Sequence, residues 1–108
     1  MTPDDYELMK LDATPAGIAI VTLNRPDVHN AFNAQLIEEM TDAFDTLADQ
    51  PNIRMVILRG AGKSFSAGAD LDWMKAASGW SRDDNEHDAE KLAEMLRKLY
   101  ELPQMTLA

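Results

Sequence analysis

The chain has 108 residues, 45% of them hydrophobic and 27% charged, with a formal net charge of −9 and no cysteine. That composition fits one small globular domain, and the lack of cysteine excludes a disulfide framework or a thiolate metal site. The charge disfavours nucleic acid and anionic membrane surfaces as partners, no apolar run approaches the roughly 20 residues that span a bilayer, and the acidic stretch from Met1 to Asp12 lacks the regions of a signal peptide, so a cytoplasmic protein is expected.

In chain order, Tyr6 to Asp12 alternates as a strand, with Tyr6, Leu8 and Lys10 on one side. Thr14-Pro15-Ala16-Gly17 is a turn signal. The β-branched run Ile18 to Leu23 then reads as the second arm of a hairpin. Asn24 to Phe32 is a loop containing Arg25-Pro26 and His29-Asn30-Ala31. Asn33 is a good helix N-cap. Leu36, Ile37, Met40, Ala43, Phe44 and Leu47 follow at helical spacing, with Glu38, Glu39, Asp42 and Asp45 on the opposite face. The helix ends near Asp49-Gln50-Pro51. Ile53 to Arg59 is a third strand, and strand–helix–strand predicts a parallel crossover.

Gly60 to Lys63 is a turn, and Ser64-Phe65-Ser66 leads into small residues at 67–69. Asp70 opens a short helix, Leu71 to Ala77, that Gly79 breaks. Ser81 caps a longer one whose apolar stripe is Ala89, Leu92, Ala93, Leu96, Leu99 and Tyr100, with the acidic run Asp83 to Glu90 as a solvated face. Pro103 ends it, and Met105 to Ala108 reads as a strand just begun. The pattern is α/β with an incomplete sheet, and a chain ending so early in a strand is expected to be the N-terminal part of a longer domain.

The segment Ser66-Ala67-Gly68-Ala69-Asp70 carries the chemistry. A buried strand ends, residues with minimal side chains follow, and a helix begins. Gly68 admits a close backbone approach, and the N–H of Ala69 lies where a helix N-terminus offers unpaired donors and partial positive charge. Such a donor can hold a carbonyl oxygen that becomes negative in a transition state. On its residues alone the segment also reads as a plain strand-to-helix turn with glycine where space is short.

Phe65 to Leu71 resembles the pattern of the enoyl-CoA hydratase/isomerase (crotonase) family, in which Phe, two small residues, Gly, a small residue, Asp and Leu follow a buried strand. The upstream Asn24-Arg25-Pro26-Asp27-Val28-His29-Asn30-Ala31-Phe32 is similar to the same family's Asn-Arg-Pro…Asn-Ala element, at the right distance. The resemblance implies a crotonase-like spiral α/β fold. It implies that the Ala69 N–H is one of two oxyanion-hole donors to a thioester carbonyl, that Ala67, Asp70 and Leu71 border coenzyme A, that Val28 and Ala31 line the same ligand, and that Gly68 permits the loop shape. The second donor and the catalytic glutamates are expected beyond residue 108.

The resemblance also implies that coenzyme A enters as part of the substrate, with no covalently bound cofactor and no metal. An overall acidic chain needs local cations for it, and Arg25, Lys63 and Lys75 are the candidates. Asn24 and Asn30 read as loop braces, His29 as a surface side chain, Trp73 and Met74 as core, and His87 has no role. Gln104-Met105 departs from the basic residue and proline common in the family. Asp70 to Lys75, with Leu92 to Leu96, is similar to the branch acting on methylglutaconyl-CoA and related thioesters. The activity so implied is hydration of a 2-enoyl-CoA. An isomerase or other enolate chemistry is the second reading, and a non-catalytic acyl-CoA-binding or assembly module the third. The family implies a homotrimer or hexamer.

Overall fold

The first reversal of the chain turns on Gly17. Its φ of 87° lies in the left-handed region that glycine enters freely. Its N–H donates to the Thr14 carbonyl at 3.1 Å, and the Thr14 N–H to the Ile18 carbonyl at 2.8 Å. This closes a hairpin of β1 (Met9–Ala13) and β2 (Ile18–Leu23), antiparallel from Met9 opposite Leu23 to Ala13 opposite Ala19. The computed structural model describes residues 1–62 and 82–107. Within them follow α1 (Ala34–Ala48), β3 (Met55–Gly60), α2 (Arg82–Tyr100) and β4 (Met105–Leu107). The sheet order is β1-β2-β3-β4, with β3 parallel to β2 and β4 parallel to β3. The expected α/β architecture, the hairpin, the parallel crossover and the strand opening after Pro103 are all present.

Ladder register puts Ala19, Val21 and Leu23 on the same sheet face as Val56 and Leu58, and all five are buried. Leu36, Ile37, Met40, Ala43, Phe44 and Leu47 of α1 join them in one core cluster. The helix starts where Asn33 predicts: its side chain accepts the Leu36 N–H at 2.9 Å, satisfying one orphan donor of the first turn. At the other end Gln104 donates to the Leu47 carbonyl at 2.5 Å, so the residue that departs from the family pattern ties the entry of β4 to the end of α1.

Three sequence expectations need correction. The first strand does not run from Tyr6. Pro3–Asp5 form a 3-10 turn and β1 begins at Met9. The N–H groups of Glu7 and Leu8 are taken instead by the Glu39 carboxylate, at 2.9 and 3.0 Å, so no ladder can use them. Met9 is buried in the core and Lys10 is exposed. Glu39 is the second correction: it is 2% exposed rather than on the solvated face of α1. The third concerns α2. Met95 is fully buried with Leu92 and Leu99 packed beside it, whereas Leu96 is 49% and Tyr100 90% exposed. The buried stripe is thus centred one residue, or about 100°, from the expected one. The rotation is fixed by Met95 in the core and by Lys98 reaching Asp45 of α1 at 2.6 Å. The short helix expected over 71–77 and the Ser81 cap lie outside the described residues.

Candidate functional site

In a sheet with parallel strands, ligands bind beyond the carboxyl ends of those strands. Here β2 and β3 finish level, with Leu23 opposite Gly60. The Ala61 N–H donates to the Leu23 carbonyl at 2.8 Å, extending the pairing by one step. Two segments leave from this point. One is the loop 24–32. The other begins at Ala61-Gly62 and runs into the small-residue segment.

Proline opens the first segment locally. Pro26–Val28 form a 3-10 turn. Val28 N–H donates to the Arg25 carbonyl at 3.2 Å, His29 N–H to the Pro26 carbonyl at 3.2 Å and Asn30 N–H to the Arg25 carbonyl at 2.8 Å. His29 and Asn30 then both take left-handed backbone, with φ 54° and 56°, a conformation in which Asn and His are enriched among non-glycine residues. The turn is braced from within. The Asn30 side-chain oxygen accepts the Arg25 N–H at 2.7 Å, and Arg25 Nη1 donates to the Ala31 carbonyl at 2.7 Å.

It is also braced from outside. Asn30 Nδ2 donates to the Ala61 carbonyl at 2.9 Å, and Asn30 is fully buried. Gly62, at φ 82°, lies against Pro26 so closely that an added Cβ would stand 3.1 Å from the Pro26 Cβ. The loop after β2 and the exit of β3 are therefore in direct contact. Val28 stands 40% exposed at the tip of the turn, while Ala31 is 6% exposed at its base. Of the two ligand-lining residues expected on this loop, Val28 offers its side chain outward and Ala31 contributes mainly backbone, its carbonyl engaged by Arg25. The expected site residues Ala67, Gly68, Ala69, Asp70 and Leu71 lie outside the described residues, as do Lys63, Trp73, Met74 and Lys75. Asn30 is the loop brace that its position suggests, but its partner Ala61, and Gly62 against Pro26, had no sequence signal beyond a glycine-rich turn.

A separate cleft of about 590 Å³ runs between α1 and α2, with Ile37 in its wall and Glu38, Asp42, Asp45, Glu90 and Glu94 around it. It shares no residue with the two segments, and its concentration of carboxylates makes it a poor receptor for phosphates. Among the described residues no group of His, Cys, Asp or Glu could hold a metal ion, and no helix is long and apolar enough to cross a membrane.

The sequence pattern of the family described as enoyl-CoA hydratase/isomerase matches residues 13–108. The chain belongs to the enoyl-CoA hydratase/isomerase family. The architecture agrees: a crystal structure of an enoyl-CoA hydratase from Shewanella pealeana is similar with a TM-score of 0.91 at 31% identity, covering 96% of this chain and 39% of that one. An enoyl-CoA hydratase from Mycobacterium smegmatis is similar with a TM-score of 0.87 at 32% identity, over 94% of this chain and 38% of that one. A Thermus thermophilus relative is 32% identical over 91 residues, 84% of this chain and 36% of its own length. The chain thus spans less than two fifths of these relatives, and its fold is the corresponding portion of a crotonase-type α/β fold.

Proposed function

We propose that the protein carrying this chain is an enoyl-CoA hydratase, adding water across the double bond next to a coenzyme A thioester to give a 3-hydroxyacyl-CoA. The observation that carries this reading is the family match over residues 13–108. Strands that end level, with two segments leaving from their carboxyl ends, support it physically, because that is where a parallel sheet receives a ligand. In this reading the Ala69 N–H donates to the thioester oxygen as the substrate becomes an enolate. Val28, Ala31, Ala67, Gly68, Asp70 and Leu71 border the coenzyme A moiety. No covalently bound cofactor or metal takes part, coenzyme A arrives with the substrate, and the enzyme works as a cytoplasmic homotrimer or hexamer. A branched, carboxylated enoyl-CoA of the methylglutaconyl type is the finer substrate proposal.

The test is turnover of crotonyl-CoA by the natural protein, read by mass spectrometry as gain of one water. Ala69→Pro deletes the donor N–H, and kcat is expected to fall by roughly 10²–10³, the usual loss for one oxyanion-hole donor. An unchanged kcat in a folded variant removes Ala69 from the mechanism. The family description also covers isomerases. A product of unchanged mass with a shifted double bond would assign that chemistry instead.

A further inference from the structure

We infer that Asn30 is a positioning residue for the acyl-CoA ligand: it pins the turn bearing Val28 to the exit of β3, so that Val28 stands at one fixed place relative to Ala61 and Gly62. This rests on the acyl-CoA reading given above.

Three demands meet at this position. The backbone is left-handed, with φ 56°, which asparagine tolerates better than most side chains. An acceptor is needed for the Arg25 N–H, at 2.7 Å. A donor is needed for the Ala61 carbonyl, at 2.9 Å. A short primary amide supplies all three. Aspartate supplies the backbone and the acceptor but no donor, and glycine supplies the backbone alone. The residue is fully buried, so water cannot readily replace what is lost.

The pin also has a second point of contact. Gly62 lies against Pro26 with no room for a Cβ beyond 3.1 Å, and Arg25 Nη1 holds the base of the turn through the Ala31 carbonyl at 2.7 Å. With the turn stiffened from within and seated at Ala61 and Gly62, just past the end of β3, Val28 is placed relative to β3 rather than relative to solvent. A side chain that only held the fold together would change the fraction of folded protein. One that fixes where Val28 stands relative to the exit of β3 changes how well each folded molecule holds its ligand.

The experiment uses the natural protein with Asn30→Asp and Asn30→Gly. Asn30→Asp keeps the left-handed preference and the acceptor while setting a second oxygen against the Ala61 carbonyl. Its KM for crotonyl-CoA is expected to rise about tenfold, the equivalent of one buried group left unsatisfied, with kcat changed much less. Asn30→Gly removes the acceptor as well as the donor, and its KM is expected to rise at least as much. Hydrogen exchange should quicken in the peptides covering residues 24–32 and 59–62 and stay unchanged in α1. A wild-type KM in the folded variants, with exchange quickened, reduces Asn30 to a fold brace and overturns the inference. Unchanged exchange shows that there is no pin, which overturns it too. If Asn30→Asp does not fold, Asn30→Gly carries the same comparison. Failure of the wild type to bind or turn over both crotonyl-CoA and a branched, carboxylated enoyl-CoA sinks the acyl-CoA reading and Asn30's ligand role with it, while the exchange data still judge the pin itself.

Discussion

A carboxylate at 2% exposure demands partners, and Glu39 has them. It accepts the N–H groups of Glu7 and Leu8, and Gln35 Nε2 donates to its other oxygen at 2.9 Å. The side chain acts as a cap for a stretch of backbone that no strand or helix serves. Glu39→Leu leaves those two N–H groups without an acceptor, and stability is expected to fall by about 2–4 kcal/mol. Glu39→Gln retains an acceptor oxygen and is expected to cost about 1 kcal/mol. Urea midpoints at constant slope measure both, and equal losses for the two variants would rule out the acceptor role. Beside it, the Tyr6 hydroxyl donates to Asp42 at 2.7 Å. Burial, first, and then the Asp42 carboxylate push the Tyr6 pKa well above its ordinary value of 10. The unfolded chain loses this proton near pH 10 while the folded one keeps it, so the stabilisation is complete below pH 10 and declines as pH rises above it. Tyr6→Phe is expected to cost about 1 kcal/mol at neutral pH and to flatten the fall of stability measured above pH ~10. None of these contacts was legible in the sequence. Glu39 has the spacing of a solvated acid, and the backbone groups it caps lie 31 and 32 residues away, a distance over which local periodicity says nothing.

Elements were legible where one local signal decided them. Asn33 named the start of α1, and six apolar residues at helical spacing named its buried face, because capping and periodicity act within a few residues. The site was legible to the same depth: Asn24 to Phe32 read as a loop and Asn30 as its brace, but the brace's far end at Ala61 is 31 residues away. In α2 periodicity pointed to a stripe through Leu96 and Tyr100, and packing against α1 chose the neighbouring one centred on Met95. Met95→Ala empties a fully buried site and is expected to cost about 2–4 kcal/mol, as cavity-forming substitutions do. Leu96→Ala, at a site 49% exposed, is expected to cost under about 0.5 kcal/mol. Denaturation of the two variants checks the rotation of the helix, and the reverse order would restore the stripe read from the sequence. The hairpin turn is the other element decided locally. At Gly17 a Cβ would meet the Asn52 carbonyl oxygen at 2.6 Å, and the backbone is left-handed. The same residue's carbonyl accepts the Arg54 N–H at 2.8 Å, joining the hairpin to the start of β3.

Strands in parallel sheets are ordinarily covered on both faces. Here one face of the sheet carries the core. The other presents Ile18, Ile20, Met55 and Ile57, all only partly buried. Together with Leu96 and Tyr100 on α2 these residues leave apolar surface in contact with solvent, which favours association. Opposing it is the net charge of −9, whose repulsion between two copies reaches about 30 Å at 0.01 M salt but only about 8 Å at 0.15 M. Expressed by itself, the 108-residue chain is therefore expected to remain monomeric at low ionic strength and to associate as salt is raised, the reverse of an assembly held by ion pairs. Analytical ultracentrifugation across that salt range measures it. Ile20→Lys, which places a charge on the exposed face without touching the core, should shift association to higher salt. If the wild-type chain stays monomeric throughout, or if Ile20→Lys leaves its association unchanged, that sheet face is not the surface through which copies meet.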